Sequence, residues 1–211
     1  MSFVKLCGMT RVEDVRAACA LGVDAVGFVL AESKRRADPA LVARAVAESP
    51  SSVRSVAVFR DQPLDDVLAL VGATGVDGVQ LHGSESIDFA VAVREVCELL
   101  IVAMDVDDPR LADIGSFPCD ALLLDASTPG SGAPFDWSRV GDLPERVRVV
   151  LAGGLGPDNV ADAIRAVRPW GVDVASGVES SPGVKDRDAM ARFVRSAREA
   201  LAECGTDPGP A

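Results

Sequence analysis

The sequence predicts a single (β/α)8 barrel. Short runs rich in Val, Leu and Ala alternate with stretches of helical periodicity along the whole chain. There are eight such runs, the number that closes a parallel sheet into a ring. Aromatic residues are scarce, at 4% with no Tyr, so the core falls to Ala, Val, Leu and Ile. These suit strands covered on both faces. At 211 residues the chain supports one substantial core. An open doubly wound sheet is the competing architecture, but no GxGxxG follows the first run.

The predicted strands are Phe3–Cys7, Ala25–Leu30, Arg54–Phe59, Gly78–His82, Leu100–Met104, Ala121–Asp125, Val147–Ala152 and Val172–Ser176. Helices are predicted over Arg11–Leu21, Pro39–Glu48, Pro63–Gly72, Ser86–Cys97, Pro157–Val167 and Arg187–Ala202. The first repeats Val12, Val15 and Cys19 on one face and opens with Thr10 and Glu13, a capping-box pattern. Two crossovers are weak, Pro109–Gly115 and Trp137–Gly141. A Gly-Val-Asp triplet recurs at 22–24, 75–77 and 171–173, each read as a helix end leading into a strand. Asp24 and Asp77 are expected to brace the bottom of the barrel, while Asp173 can lie high enough to face the other end. The barrel is expected to span residues 1–203, followed by a Pro/Gly-rich flexible tail over 204–211.

Composition narrows the partners. A net charge of −11 argues against nucleic acid, which demands a basic stripe. The charge is compatible with a small anion, which needs only one Arg and a few oriented backbone N–H groups. The five cysteines form no CxxC pair, and no apolar leader opens the chain; a reduced, cytoplasmic protein is expected. No run approaches the roughly 18 apolar residues of a membrane span. One His and dispersed cysteines make a metal site unexpected. Nothing on the helix faces separates a monomer from a homodimer.

In a (β/α)8 barrel the chemistry sits at the C-terminal ends of the strands. Cys7 ends the first strand directly before Gly8, and alternation puts Lys5 below it on the same face, where its charge favours the thiolate. Asp125 closes the run Ala121-Leu122-Leu123-Leu124, a costly position for a carboxylate that is neither paired nor used. Arg35 and Arg36 are adjacent, so one faces the pocket, suited to a carboxylate, and the other faces solvent. His82, the chain's single His, ends the fourth strand, as a ligand contact or a satisfied core imidazole. Gly153-Gly154 and Ser176-Gly177 follow strands seven and eight, where barrels often hold phosphate.

Lys5-Leu6-Cys7-Gly8-Met9-Thr10 resembles the opening signature of the phosphoribosylanthranilate isomerases of tryptophan biosynthesis. The likeness continues through Ser33-Lys34-Arg35, Val79–Gly83 with Glu85, Leu124-Asp125, Phe135-Asp136-Trp137 (read as packing), Leu151–Leu155 with Pro157 and Asn159-Val160, Asp173–Glu179, Gly183 and Lys185-Asp186. The resemblance implies a cofactor-free Amadori rearrangement of a small anionic substrate, with Cys7 as general base and Asp125 as general acid. It also implies that Arg35 holds the anthranilate carboxylate and His82 lies beside the substrate. Asp173 would contact a sugar hydroxyl, and the segments with Gly153, Gly154, Ser176 and Gly177 would take the phosphate. One departure concerns the loop after Asp125, where Ala126-Ser127-Thr128-Pro129 leads straight to Gly130-Ser131-Gly132, a shorter path than the family's. Two rival readings are a histidine-pathway aldose–ketose isomerase, a family that typically has Asp where Cys7 stands, and a non-catalytic phosphate-binding barrel.

Overall fold

Eight parallel strands pair in chain order: β1 (Phe3–Leu6), β2 (Ala25–Val29), β3 (Arg54–Phe59), β4 (Gly78–Leu81), β5 (Leu99–Asp105), β6 (Ala121–Asp125), β7 (Val149–Ala152) and β8 (Gly171–Val174). β8 returns to β1, with Lys5 opposite Asp173, and the barrel is closed. The structure is a computed structural model and describes residues 2–125 and 147–205. The loop over Pro129–Gly132, Phe135–Trp137, the crossover predicted over Trp137–Gly141 and the tail beyond Gly205 lie outside the described residues.

Outside the ring run α1 (Val12–Ala20), α2 (Pro39–Glu48), α3 (Leu64–Thr74), α4 (Ile87–Arg94), α5 (Val160–Val167) and α6 (Arg187–Glu203). The weak crossover at Pro109 is a 3-10 helix over Pro109–Ser116, started by Asp108, whose side chain accepts from the Arg110 N–H. Past β8 comes a 3-10 turn, Ser176–Val178, and then an unforeseen hairpin of β9 (Glu179–Ser181) and β10 (Val184–Lys185).

Period-two alternation divides the apolar residues into two zones. Val4, Leu6, Val26 and Phe28 point outward and join the helices in the larger core. Phe3, Ala25, Val56, Ile101 and Leu123 point inward and fill the barrel. Above that apolar filling the interior turns polar, with Lys5, Gln80 and Asp173 all buried.

The bottom rim is braced by aspartates, as expected for Asp24 and Asp77. Asp24 Oδ2 accepts from the Val4 N–H at 2.7 Å, and Asp77 Oδ2 accepts from the Ser55 N–H at 2.7 Å. Asp120 repeats the device, accepting from the Leu100 N–H at 2.8 Å. Each aspartate precedes an even-numbered strand and ties down the backbone of the strand before it.

Two local expectations are corrected. There is no capping box on α1: Arg11 is the N-cap and its side chain makes no capping bond, Thr10 donates to the Gly183 carbonyl, and Glu13 pairs with Arg11. The third Gly-Val-Asp triplet does not end a helix. Its Gly171 lies inside β8, where a Cβ would stand 2.5 Å from the Phe3 carbonyl oxygen, and the left-handed cap of α5 is Arg168. Gly75, by contrast, is the left-handed cap of α3, at φ 66°.

Candidate active site

The C-terminal ends of the strands open into a cavity of about 340 Å³. Cys7, Arg35, His82, Asp125, Asp173, Gly153, Gly154 and Ser176 all line it. Gly177 sits just behind the wall, where a Cβ would meet the Leu155 carbonyl oxygen at 1.9 Å. Only glycine lets the segment after β8 lie this close to the one after β7.

Cys7 follows β1, and its N–H donates to the Val174 carbonyl of β8 at 2.8 Å. Room for its thiol comes from Gly27 on the neighbouring strand. A Cβ there would stand 2.6 Å from Sγ and 3.1 Å from Lys5 Nζ. Burial pushes the thiol pKa up; Lys5 pulls it back, Asp173 adds to the rise, and Lys185 opposes it. Lys5 thus has the sign expected of it, but burial outweighs it. Burial also works against the Lys5 charge, yet Asp173 and then Cys7 hold its pKa above the ordinary value. The Lys5 ammonium donates to Asp173 Oδ1 at 3.1 Å and to Gln80 Oε1 at 2.9 Å.

On the far side of the cavity, His82 Nε2 stands 3.6 Å from Asp125 Oδ2, and Gln80 Nε2 is 3.1 Å from His82 Nδ1. His82 is therefore part of the cavity wall and not a core imidazole. Its loop is fixed from below: Glu85 accepts from the Asp61 and Gly83 N–H groups, both at 2.8 Å, and Arg110 donates to the Gly83 carbonyl at 2.8 Å. Asp105 of β5 pairs in register with Asp125. Burial, then the Asp125 charge, pushes Asp105 above its ordinary pKa.

The choice between the two arginines is settled by exposure: Arg35 lines the cavity and Arg36 faces solvent. Arg35 lies over Gly8 (φ 75°), where a Cβ would come within 2.9 Å of its Cδ. Its Nε and Nη2 donate to Glu179, each at 2.8 Å, and Lys185 Nζ joins the same carboxylate at 3.1 Å. Burial alone would raise the Glu179 pKa, but the two cations hold it below the usual carboxylate range. Burial draws the Lys185 pKa down. In the loop after β7, Gly153 and Gly154 both have positive φ (89° and 62°), and Asn159 Nδ2 donates to the Gly154 carbonyl at 3.0 Å. α5 begins only at Val160, so this loop is longer than the sequence suggested.

The sequence reading missed Gln80, Gly27, Glu179 and Lys185 as parts of the site. Alternation would have put Gln80 on the same inward face as His82, and a glycine inside a strand signals a close approach. Glu179 and Lys185 fall in the family-like stretches but carried no local signal of a place in the site, because an unforeseen hairpin delivers them. Among the described residues, no group of three or more His, Cys, Asp or Glu is arranged to hold a metal, and no helix is long and apolar enough to cross a membrane.

A closed parallel barrel that gathers a thiol, a carboxylate and an Arg above its strand ends is a (β/α)8-barrel enzyme in plan. Residues 4–196 match the family model described as N-(5'-phosphoribosyl)anthranilate (PRA) isomerase. The chain is 43% identical to the N-(5'-phosphoribosyl)anthranilate isomerase of Geobacter sp. (strain M21), over 94% of this chain and 99% of that protein. It is similar to the crystal structure of phosphoribosyl anthranilate isomerase from Thermotoga maritima, with TM-score 0.84 and 40% identity over 94% of this chain and 100% of that one. A crystal structure of the isomerase in complex with reduced 1-(o-carboxyphenylamino)-1-deoxyribulose 5-phosphate gives TM-score 0.81 and 38% identity, again over 94% and 100%. The chain belongs to the N-(5'-phosphoribosyl)anthranilate isomerase family, the isomerases of tryptophan biosynthesis.

Proposed function

We propose that the chain converts N-(5-phosphoribosyl)anthranilate into 1-(2-carboxyphenylamino)-1-deoxyribulose 5-phosphate by an Amadori rearrangement. One observation carries the proposal: Cys7 after β1 and Asp125 on β6 face a single cavity from well-separated points of the ring. A sugar bound between them meets an acid on one side and a base on the other.

Asp125 gives its proton to the furanose ring oxygen, and the bond from that oxygen to C1 breaks. The anthranilate nitrogen lone pair closes a C1=N iminium. The Cys7 thiolate then takes the C2 proton; that bonding pair forms C1=C2, and the iminium electrons return to nitrogen. The resulting enolamine tautomerises to the ketone, with a proton arriving at C1 and C2–OH becoming C2=O. The proton gained at C1 and the one lost from C2–OH offset those exchanged with Cys7 and Asp125, so no atom is gained or lost overall and two protonable groups complete the reaction without a cofactor.

The remaining groups bind the two anionic ends. Arg35 keeps donors beyond those it spends on Glu179, and these suit the anthranilate carboxylate. Asp173 accepts from a sugar hydroxyl, and His82 lies beside the reacting carbons. The segments carrying Gly153, Gly154, Ser176 and Gly177 offer backbone N–H groups to the phosphate. The setting is the cytoplasm, where free thiols such as Cys7 stay reduced.

The experiment is a turnover assay of wild type and Asp125→Asn on the anthranilate substrate and on the histidine-pathway aminoimidazole ribonucleotide. Wild type is expected to turn over the first, and Asp125→Asn to lose roughly 10²–10⁴-fold in kcat. Equal wild-type turnover of both would overturn the single-substrate proposal. An active Asp125→Asn would overturn the acid.

A further inference from the structure

Gln80 and His82 are two residues apart on and just beyond β4, so their side chains share the barrel's interior face. The Gln80 amide is buried and engaged at both ends. Its Oε1 accepts from Lys5 Nζ at 2.9 Å, and its Nε2 is 3.1 Å from His82 Nδ1. An ammonium group has only hydrogens to offer, so the end of the amide facing Lys5 must be the carbonyl oxygen. The amide hydrogens are thereby aimed at His82, and the nitrogen opposite them must accept. A neutral imidazole that accepts at Nδ1 carries its own proton at Nε2. That nitrogen faces Asp125 Oδ2 at 3.6 Å.

We infer that Gln80, oriented by Lys5, locks neutral His82 in the Nε2–H tautomer and thereby reserves the Asp125 proton for the substrate. The inference rests on the reading of Asp125 as the general acid. Imidazole is a stronger base than a carboxylate. A bare Nε2 facing the protonated acid would take its proton and leave Asp125 ionised before the ring oxygen arrived. With Nε2 protonated and Nδ1 covered by the amide, the ring turns no lone pair toward Asp125. Once Asp125 has given up its proton, the same N–H faces the new carboxylate. Closing by roughly 0.7 Å would bring it to ordinary hydrogen-bond distance. Gln80 is a positioning residue: it acts through His82, as the partners of other functional imidazoles do.

His82 is the only His in the chain, so two-bond 1H–15N correlation spectra of the full-length protein read its tautomer directly. At a pH where the ring is neutral, wild type is expected to show Nε2–H. In Gln80→Glu the carboxylate accepts from Lys5 and also from the ring, so the tautomer is expected to reverse to Nδ1–H. Its kcat should fall by roughly tenfold or more, with a smaller change in KM. In Lys5→Met the amide is free to flip, and the spectrum is expected to show a mixture. An Nδ1–H tautomer in wild type would overturn the inference even if neither variant folds, and so would a Gln80→Glu spectrum unchanged from wild type. The expected tautomers together with a fully active Asp125→Asn would instead overturn the acid assignment, and with it the purpose given to the lock.

Discussion

The barrel uses aspartate at both ends, and the two ends treat it differently. At the bottom, Asp24, Asp77 and Asp120 each accept a backbone N–H from a strand. Asp24 and Asp120 also pair with Arg198 and Arg94, each at 2.6 Å. These carboxylates are consumed by the fold. At the top, Asp125 and Asp173 face a cavity shared with a thiol and a guanidinium. What assigns an aspartate its work is whether it meets the sheet's backbone or the open end of the barrel. Asp173 makes the point, since its Gly-Val-Asp triplet matches those of Asp24 and Asp77, yet it lies within β8 and faces upward.

The comparison can be broken by substitutions at either end. Among substitutions of residues that only shape the two ends, the largest effect is expected from Gly27→Ala, whose Cβ would stand 2.6 Å from Cys7 Sγ. Displacing the thiol should cost roughly tenfold or more in kcat, because small misplacements of reacting groups are expensive. Asp77→Ala, at the other end, removes the acceptor for both the N–H and the hydroxyl of Ser55. Urea unfolding should show a loss of about 2 kcal/mol with kcat unchanged. A rate loss in Asp77→Ala, or a stability loss without a rate loss in Gly27→Ala, would erase the distinction between the ends.

Finer effects sharpen it. The Cys7 thiol pKa is raised by burial and lowered by Lys5. A base that works as thiolate gains activity as pH rises, so kcat/KM should climb through the thiol's range. Lys5→Met removes a neighbouring positive charge and should move that limb to higher pH; a limb that stays or moves down would contradict the electrostatic role of Lys5. The smallest change is expected from Arg36→Ala, because Arg36 faces solvent. Its KM should stay within about twofold of wild type, while Arg35→Ala should raise KM by roughly tenfold or more.

Most of the barrel was legible because alternation and helical period are local signals. Arg54–Phe59 and Ala121–Asp125 form strands with the predicted ends. Counting strands then pointed to the rim, and Cys7, Arg35, His82, Asp125 and Asp173 do meet in one cavity. What stayed illegible was long-range. Glu179-Ser180-Ser181-Pro182-Gly183 has no apolar alternation to mark a strand, yet it opens a hairpin whose Glu179 grips Arg35 across 144 residues of sequence. Asp120 carried no Gly-Val-Asp signature, although it does the same work as Asp24 and Asp77. Gln80 gained meaning only when its two bonding partners, Lys5 and His82, were both seen.

The central claim is that Cys7 is the base of an isomerase. Steady-state turnover of N-(5-phosphoribosyl)anthranilate by Cys7→Ser, with product affinity measured on the same protein, tests it most directly. A serine hydroxyl fits the space left by Gly27 but is far harder to ionise than a thiol. The account predicts a kcat loss of at least roughly 10²-fold with product affinity retained. A Cys7→Ser enzyme turning over near the wild-type rate would contradict it.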